Sequence, residues 1–493
     1  MRKLLLPALA LLVACSVLVA ACSRKGATPG TTSSTDTTGS SGSKPFDINT
    51  IEDTYADVAP FSDYPSWGPY NVHDPSIKKF GNTYYCYSTD VAYGFTPRLG
   101  IQVRKSPDLV QWTFVGWVFD ALPPLGAAYI TQNGGTPNQA LWAPYIIQVG
   151  SEYRLYYSLA SGTTKLSVIG LAVASSPEGP WQERGVVVGS TTSLSITNAI
   201  DPTVVVTPTG DEWMYYGSAF DGIYALQLDP TTGLALTPGD KGKRIANRGF
   251  TNGQYNGNIE GAEIIYHPGL KRYYLFISYD WLETKYNVRA AWGLNPQGPF
   301  YDITGQDINT NVDHTPMIIA PYQFNGHGGW QGTAHCTVFD DGNGQYFIAH
   351  QGRPGVDFYY MDLHVRKLFW TPGGWPVASP ERYAWEKNDT VPVAQLIGTY
   401  EQIDLNYQVV PGYQAQQVSP DFQTSVPLTL SSDGTFGGGT WAYTGPWLTL
   451  HWQSGRSDTL FVQAGRDWEK KTNTIIFTGL NNSGTAVWGK KSQ

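Results

Sequence analysis

The sequence predicts an all-β protein, a five-bladed β-propeller followed by a small C-terminal β-barrel or sandwich domain. Two observations support this prediction: a strand-like aromatic segment occurs five times, and a second short motif precedes every copy. The composition agrees, because 54 glycines and 33 prolines supply turns and 14% of the residues are aromatic. Many short strands joined by turns are typical of propellers and other all-β folds.

The aromatic segment is a turn followed by residues that favour β-strands. Its five copies lie at 81–88, 150–158, 210–218, 269–278 and 342–350. Successive copies are separated by roughly 60 to 73 residues, which is enough for a four-stranded blade and its loops. Because little helical periodicity lies between the copies, five blades are favoured over the alternative, an array of β-sandwiches.

A second motif begins roughly eight to ten residues before the start of each aromatic segment, as expected for the first strand of a hairpin. It reads His73-Asp74-Pro75, Trp142-Ala143-Pro144, Ile200-Asp201-Pro202, Ile259-Glu260-Gly261 and Ala334-His335-Cys336. The innermost strand of each propeller blade lines the central channel, so equivalent positions of a repeat surround one axis. The side chains expected to face one funnel are those of Asp74, Trp142, Asp201, Glu260 and His335.

Three carboxyl groups in one partly desolvated funnel are expected to differ in pKa, since burial and like charges raise a pKa and hydrogen bonds lower it. Glycoside hydrolysis uses such a difference: one carboxyl group donates a proton while another activates water or attacks carbon. A single Asp-Pro pair is more often a turn. The matching positions of Asp74 and Asp201, together with Glu260, favour the catalytic interpretation.

His335 and Trp142 each allow two interpretations. His335 is either a hydrogen-bonded core histidine or a ligand of a cation on the axis, and we favour the ligand. Trp142 either packs in the core or stacks on the face of a sugar. The funnel is therefore expected to hold a divalent cation and leaves room for a sugar contact.

Taken in order, these motifs resemble those of glycoside hydrolase family 43, in particular its arabinan-degrading members, over residues 53–386. The resemblance implies that Asp74 is the general base, that Asp201 is the orienting Asp that modulates pKa, and that Glu260 is the general acid. It implies inverting cleavage of α-1,5-L-arabinofuranosidic bonds in arabinan, arabino-oligosaccharides or another pentose-containing polysaccharide. The alternatives are an exo-acting α-L-arabinofuranosidase or β-xylosidase with the same three residues, and a glycan-binding surface lipoprotein without catalysis.

The resemblance also implies binding residues. Those expected to contact substrate are Trp142, Asn198, Ser218 and Arg353. His335 matches a histidine that faces a central metal, usually calcium, in these relatives. Two positions depart from the family pattern: Tyr145 replaces the Asp that usually follows Trp-Ala-Pro, and Cys336 replaces the Asn that usually follows the histidine. They leave open the details of sugar binding and the surroundings of the ion.

The first residues predict export. Met1-Arg2-Lys3 precedes an apolar run from Leu4 to Ala21, which is typical of a secretory signal. Small residues before Cys22 resemble a bacterial lipobox, so we expect residues 1–21 to be removed and the Cys22 thiol to be lipidated. Residues 22–45 would then be a flexible tether to the membrane. The product would be a bacterial lipoprotein on the periplasmic or cell-surface side; the alternatives are a plain signal peptide and a buried apolar helix.

The predicted propeller covers residues 46–388, and the C-terminal β-domain covers residues 389–493. Three tryptophans of that domain are expected in core or interdomain packing more than on sugars: Trp441, Trp447 and Trp452. A net charge of −8 argues against a nucleic-acid partner. The sequence does not decide whether Cys86 and Cys336 form a disulfide, and it does not predict an oligomeric state.

Overall fold

The computed structural model describes residues 45–91, 97–194, 196–251, 253–310, 316–406 and 417–492. The predicted signal segment 1–21, Cys22 and the tether up to residue 44 lie outside these described residues. From Ile48 onward the chain forms one unit by its contacts. Among the described residues, neither α-helix has the length and apolar character that a membrane crossing requires.

The described residues form four separate antiparallel sheets of four strands, here called blades I to IV, which follow one another along the chain. Blade I contains β1 (His73–Phe80), β2 (Thr83–Thr89), β3 (Gln102–Ser106) and β4 (Thr113–Trp117), and α1 (Pro124–Gln132) follows it. Blade II contains β5 (Trp142–Val149), β6 (Glu152–Ala160), β7 (Ser167–Ala174) and β8 (Gln182–Ser190). Blade III contains β9 (Thr203–Val206), β10 (Glu212–Tyr216), β11 (Ile223–Leu228) and β12 (Lys243–Ala246). After a hairpin of β13 (Phe250–Thr251) and β14 (Gln254–Tyr255), blade IV contains β15 (Ile259–His267), β16 (Arg272–Tyr279), β17 (Asn287–Gly293) and β18 (Met317–Ile319).

A larger sheet follows blade IV. Six of its seven strands follow in chain order: β19 (Tyr322–Gln323), β20 (Trp330–Gln331), β21 (Thr337–Asp340), β22 (Tyr346–Pro354), β23 (Asp362–Trp370) and β24 (Pro376–Ala378); the seventh comes from the C-terminal region. Strands β21 to β24 pair antiparallel in chain order, and β22 also pairs with β20, which continues the sheet through β19. The first strands contact one another around the axis, with β1 beside both β5 and β21, and β15 beside both β9 and β21.

The aromatic segments predicted as repeats are the second strands of these sheets, because β2, β6, β10, β16 and β22 lie within the five copies. Neighbouring residues of a strand point to opposite faces of its sheet. Tyr156 accordingly packs in a core cluster with blade III, while Tyr157 packs in the cluster shared with blade I. Both side chains are fully buried. The aromatic pair therefore supplies the packing on both sides of a blade.

The C-terminal strands form one barrel-like sheet of eight. The chain enters it through α2 (Val393–Leu396) and β25 (Gly398–Leu405), whereas β26 (Gln423–Thr424) follows β25 in the chain but pairs with β19 in the larger sheet. The remaining strands are β27 (Val426–Leu430), β28 (Thr435–Phe436), β29 (Gly439–Thr444), β30 (Trp447–Trp452), β31 (Ser457–Asp467), β32 (Thr472–Asn481) and β33 (Ala486–Lys491). In the described residues before blade I, short 3-10 helices lie at Ile48–Thr50 and Phe61–Ser66.

The three C-terminal tryptophans take part in packing. Trp441 and Trp452 pack against the leucine-rich core cluster of the barrel-like sheet. Trp447 meets the ring of Phe461 edge-on at 5.4 Å, and Phe461 stacks on Phe369 of β23 at 4.1 Å between ring centroids. The contact through Phe461 joins the barrel-like sheet to β23, as expected for interdomain packing.

A buried ammonium group lies at the junction between the two parts. Lys490 on β33 is 1% exposed and its Nζ lies 2.8 Å from Glu381 and 3.1 Å from Asp467. It also forms an ion pair with Glu469. Burial raises the pKa of Glu381 well above its usual range. Burial acts in the same direction on Glu469, but the Lys490 charge outweighs it and lowers the pKa of Glu469 to about 2.

Cys86 and Cys336 are both buried free thiols, so the disulfide that the sequence left open is not formed. Cys336 packs in the core cluster beneath β21. Burial raises the pKa of Cys86 to about 12.

Candidate active site

In the part of the chain that the structure describes, five residues, one at or just before each of the first strands β1, β5, β9, β15 and β21, have a left-handed backbone. They are Asp74, Ala143, Asp201, Gly261 and His335, with φ angles of 49°, 40°, 60°, 55° and 51°. For a residue with a Cβ this conformation costs about 1–2 kcal/mol. In blades I, II and IV it coincides with a register shift between the first two strands, which is the signature of a β-bulge.

The backbone N–H of each left-handed residue donates to a side chain. The acceptors on second strands are Gln351 Oε1 for Asp74 (3.1 Å), Thr89 Oγ1 for Ala143 (2.8 Å), Ser158 Oγ for Asp201 (3.0 Å) and Ser278 Oγ for His335 (2.9 Å). The N–H of Gly261 donates instead to Asp201 Oδ2 at 3.2 Å. Buried N–H groups left without a partner would be costly, so these bonds hold the strained residues in place and connect neighbouring sheets.

The sequence prediction placed Trp142 and Glu260 at the same repeat position as Asp74, Asp201 and His335. That register is wrong by one residue, because the left-handed residues of blades II and IV are Ala143 and Gly261. Trp142 and Glu260 come one residue earlier, where they pair with Ser158 and Ser278 across the hairpin. The bulge itself leaves no mark in the sequence, which is why the motifs could be aligned one residue out.

Asp74 is 7% exposed and lies between two imidazoles. Its Oδ1 is 2.7 Å from His73 Nδ1 and 2.9 Å from His335 Nδ1, and its Oδ2 accepts the Thr89 hydroxyl at 2.8 Å. Burial alone would raise the pKa of Asp74, but the charges and hydrogen bonds of His335 and His73 hold it well below its usual range. Asp74 is thus an ionised carboxylate with an ordered set of donors.

Asp201 is 5% exposed and has a different environment. Within the described residues, the Gly261 N–H is the donor to its Oδ2, while Glu260 and Asp74 add negative charge nearby. Burial is the largest cause that raises the pKa of Asp201 to about 8, although His335 acts in the opposite direction. Two carboxyl groups of the site therefore have pKa values moved in opposite directions, as environments of acid and base groups often do.

Glu260 is held by two hydroxyl groups. The Ser218 hydroxyl donates to Oε2 at 2.6 Å, and the Tyr286 phenol donates to Oε1 at 2.9 Å. Burial, followed by the charges of Glu260, Asp201 and Asp74, raises the pKa of Tyr286 well above its usual range. Tyr286 therefore remains a neutral donor beside the carboxyl group.

His335 lies between Asp74 and Gly261, the residue that follows Glu260. Its Nδ1 contacts Asp74, and a Cβ on Gly261 would lie only 3.0 Å from that same nitrogen. Burial lowers the pKa of His335, but Asp74, Asp201 and Glu260 raise it to about 9. Glycine at 261 thus lets blade IV approach the imidazole closely.

A cation at His335 would find one protein ligand atom, Nε2 of the neutral imidazole, and its binding would displace the proton that the neighbouring carboxyl groups favour. Nδ1 is oriented by Asp74, and no hydrogen bond to Nε2 occurs within the described ranges; a carboxylate-oriented imidazole is usual among metal-binding histidines. The one group of three candidate ligand side chains in the described part of the chain is Glu381, Asp467 and Glu469, which already surrounds Lys490. Water oxygens would complete the coordination, and calcium prefers oxygen.

The remaining predicted residues lie around this network. Arg353 is 3% exposed, donates to the carbonyl of Phe358 at 2.7 Å and approaches His73 Nε2 at 3.4 Å. Asn198 forms an isolated bridge with Ser218, the residue that donates to Glu260. Trp142 is half-buried at the start of β5. Ser218 donates directly to Glu260, and Arg353 reaches Asp74 through His73. Trp142 and Asn198 are connected to the site through their backbone pairing with Ser158 and Ser218.

The two departures from the family pattern lie in packed positions. The Tyr145 hydroxyl donates to the carbonyl of Val204 at 3.1 Å, and Lys78 lies 5.0 Å from the centre of its ring. Lys78 also lies 3.7 Å from the buried carboxyl of Glu263. Tyr145 thus belongs to a buried network two residues further along β5 than Ala143.

Three residues of the site were missed by sequence reasoning. His73 stood inside the first motif and Thr89 followed the first aromatic segment, so both had a signal in their position next to a predicted feature. Tyr286 had none, because it precedes β17 in a loop with no repeat pattern.

Two family models match the chain. The one described as glycosyl hydrolases family 43 matches residues 68–376, and the one described as a C-terminal lipocalin-like domain matches residues 380–489. The chain is 30% identical over 465 residues to the extracellular endo-α-(1→5)-L-arabinanase of Thermotoga petrophila, which covers 85% of this chain and 93% of that protein. It is 29% identical over 474 residues to extracellular endo-α-(1→5)-L-arabinanase 2 of Bacillus subtilis, with coverages of 87% and 95%.

A solved structure is similar over the same extent. The crystal structure of the endo-1,5-α-L-arabinanase from Thermotoga petrophila matches with a TM-score of 0.73 and 29% identity, covering 86% of this chain and 99% of that chain. The segment matched by the family model contains Asp74, Asp201, Glu260 and His335. The family predicted from the motifs is confirmed: the chain belongs to glycosyl hydrolases family 43 and is a glycoside hydrolase.

Proposed function

We propose that this hydrolase cleaves α-1,5-L-arabinofuranosidic bonds of arabinan with inversion at the anomeric carbon. The observation that supports it best is the arrangement of Asp74 among imidazoles and Glu260 among hydroxyls around His335. Asp74 takes a proton from water as the water oxygen attacks the anomeric carbon. Glu260 gives its proton to the leaving oxygen as the glycosidic bond breaks. Asp201 accepts the Gly261 N–H and so holds the backbone next to Glu260.

We infer the substrate from the two relatives described above, because both match over nearly their whole length and are named endo-arabinanases. Trp142, Asn198, Ser218 and Arg353 are the proposed substrate contacts. Chain-internal cleavage should release a ladder of oligosaccharides from linear α-1,5-arabinan early in the reaction. Size analysis of the first products tests this. Release of monosaccharide alone would indicate exo action instead, and a matched assay on xylan gives the control for β-xylosidase activity.

We propose that β21–β24 form a fifth blade, so that the propeller occupies residues 46–388 and the barrel domain residues 389–493. Support comes from the antiparallel order of these strands and from His335, which shares the left-handed backbone of Asp74, Ala143, Asp201 and Gly261. The contacts of β21 with both β1 and β15 also support this proposal, because a closing blade would contact both the first and the fourth blade.

We also propose that His335 Nε2 holds one divalent cation, calcium being our expectation. When bound, such an ion would supply positive charge on the axis. His335→Ala should remove the ion from protein purified without added metal, measured by elemental analysis. His451→Ala, at an exposed histidine of the barrel-like sheet, should leave the metal content unchanged. A wild-type protein that is metal-free and fully active would contradict the proposal.

We propose that the chain is exported as a lipoprotein anchored through Cys22. The relatives are named extracellular, and the motif before Cys22 resembles a lipobox. The partner at this end of the chain is then a membrane surface. Mass analysis of the mature N-terminus from membranes tests the anchor, because an N-terminus without acyl chains would contradict it.

A further inference from the structure

Tyr286 is fixed beside Glu260 by its own surroundings. Its side chain is 1% exposed and packs in the core cluster between blade IV and β21–β24. Its carbonyl accepts the backbone N–H of Thr333 at 3.1 Å and the Thr333 hydroxyl at 3.3 Å. The phenol oxygen therefore has little freedom to move away from Glu260.

The phenol has one acceptor. In the described part of the chain, Glu260 Oε1 is the group that accepts its proton, at 2.9 Å. If the phenol turned its proton elsewhere, a buried donor would be left unsatisfied, which is unfavourable. Oε1 is therefore committed as an acceptor whether Glu260 is a carboxylate or a carboxylic acid.

The other carboxyl oxygen of Glu260, Oε2, differs from Oε1 because its partner is a hydroxyl group that can either donate or accept a hydrogen bond. Ser218 lies 2.6 Å from Oε2, and a serine hydroxyl can donate or accept. It donates to Oε2 of the carboxylate and can accept from Oε2–H of the acid. Of the two oxygens, Oε2 is thus the one that can carry the proton without breaking a hydrogen bond.

From this geometry we infer that Tyr286 is a positioning residue that keeps the proton of Glu260 on Oε2, the oxygen that protonates the departing glycosidic oxygen. The inference rests on the proposed role of Glu260 as general acid. In the step, the Oε2–H bond breaks, an O–H bond forms on the leaving oxygen, and the glycosidic bond electrons go to that oxygen. Negative charge appears on the carboxylate, and the hydrogen bond from Tyr286 strengthens as it does so.

The test uses aryl α-1,5-arabinobiosides whose leaving groups differ in their need for protonation. Phenol is a poor leaving group and requires protonation by Glu260, while dinitrophenol leaves as its anion without that proton. Tyr286→Phe should lower kcat by about 10- to 100-fold with the phenyl substrate, the scale of one hydrogen bond to a charged group. With the dinitrophenyl substrate the rate should stay near wild type, and KM should change little with either.

Tyr274→Phe is the matched control. Tyr274 is a fully buried tyrosine of the same blade whose hydroxyl donates to the Gly374 carbonyl, not to Glu260. It should leave the dependence on the leaving group unchanged. An equal loss on both substrates in Tyr286→Phe would mean a merely structural role and would overturn the inference, as would no loss on either.

Two further measurements separate the inference from the function on which it rests. Glu260→Gln should show the same selective loss, and if it does not, the general acid is another group and the proposed function is wrong. Should Tyr286→Phe not fold, a fluorinated tyrosine at 286 keeps the ring and makes the phenol a stronger donor. It should raise the rate with the phenyl substrate and leave the dinitrophenyl rate unchanged; no change with phenyl would overturn the inference.

Discussion

Glu260→Gln is expected to lower kcat on linear arabinan by about 10²–10⁴-fold, the usual contribution of a positioned proton donor. Glutamine has the shape of glutamate. Its carbonyl oxygen can still accept the Tyr286 hydroxyl and its NH2 group can donate to the Ser218 oxygen, so the fold around the site should persist. The amide has no proton of suitable acidity for the leaving oxygen. KM should stay near the wild-type value, because the lost interaction acts in the transition state.

The measurement is a Michaelis series on linear arabinan with reducing-sugar detection. Glu178→Gln makes the same chemical change at a half-exposed carboxylate that pairs with Lys105, and it should leave kcat unchanged. Activity of Glu260→Gln within a few-fold of wild type would remove Glu260 from the mechanism.

Lys490→Met should reduce the free energy of unfolding by about 3–5 kcal/mol, the scale seen when one partner of a buried ion pair is removed. Methionine fills a similar volume without charge. Glu381, Asp467 and Glu469 would then face one another with no cation between them. Because protonation relieves such repulsion, the loss should be smaller at acidic pH, where the folded variant can bind protons, than at alkaline pH.

Denaturant unfolding at two pH values checks this result. Lys470→Met provides the comparison, since Lys470 is 47% exposed and lies 3.8 Å from the same Asp467. An exposed pair contributes at most about 1 kcal/mol. If Lys490→Met costs no more than Lys470→Met, the buried ion cluster does not stabilise the junction.

The sequence predicted the strands and the carboxyl groups because both follow local patterns. The aromatic pair that fills the cores on both faces of a blade recurs in every copy, so the second strands could be located. Asp74 and Asp201 were recognisable from Asp-Pro pairs at matching repeat positions. What determined the rest is not local: the bulge shifts Glu260 by one residue relative to Asp201, and Tyr286 reaches the site from an unpatterned loop.

The same distinction holds at the end of the chain. The alternating segments predicted a β-domain, but its connection to the propeller depends on pairs far apart in sequence, such as β19 with β26 and Phe369 with Phe461. Lys490 and Glu381 are likewise brought together only by the fold. No short segment contains both members of such a pair, so their contact cannot be inferred from one sequence.

For protein engineering, the left-handed residues are a set of equivalent positions with a common backbone conformation and different side chains. Asp74, Asp201 and His335 bring ionisable groups to the axis, and Gly261 cannot be changed because a Cβ would meet the His335 ring. Ala143 is the position of this set with a small apolar side chain, and its backbone N–H already donates to the Thr89 hydroxyl oxygen. Because Ala143 is 2% exposed, serine, which adds a single oxygen atom, is the substitution that would bring a polar group to this position with the least change in packing.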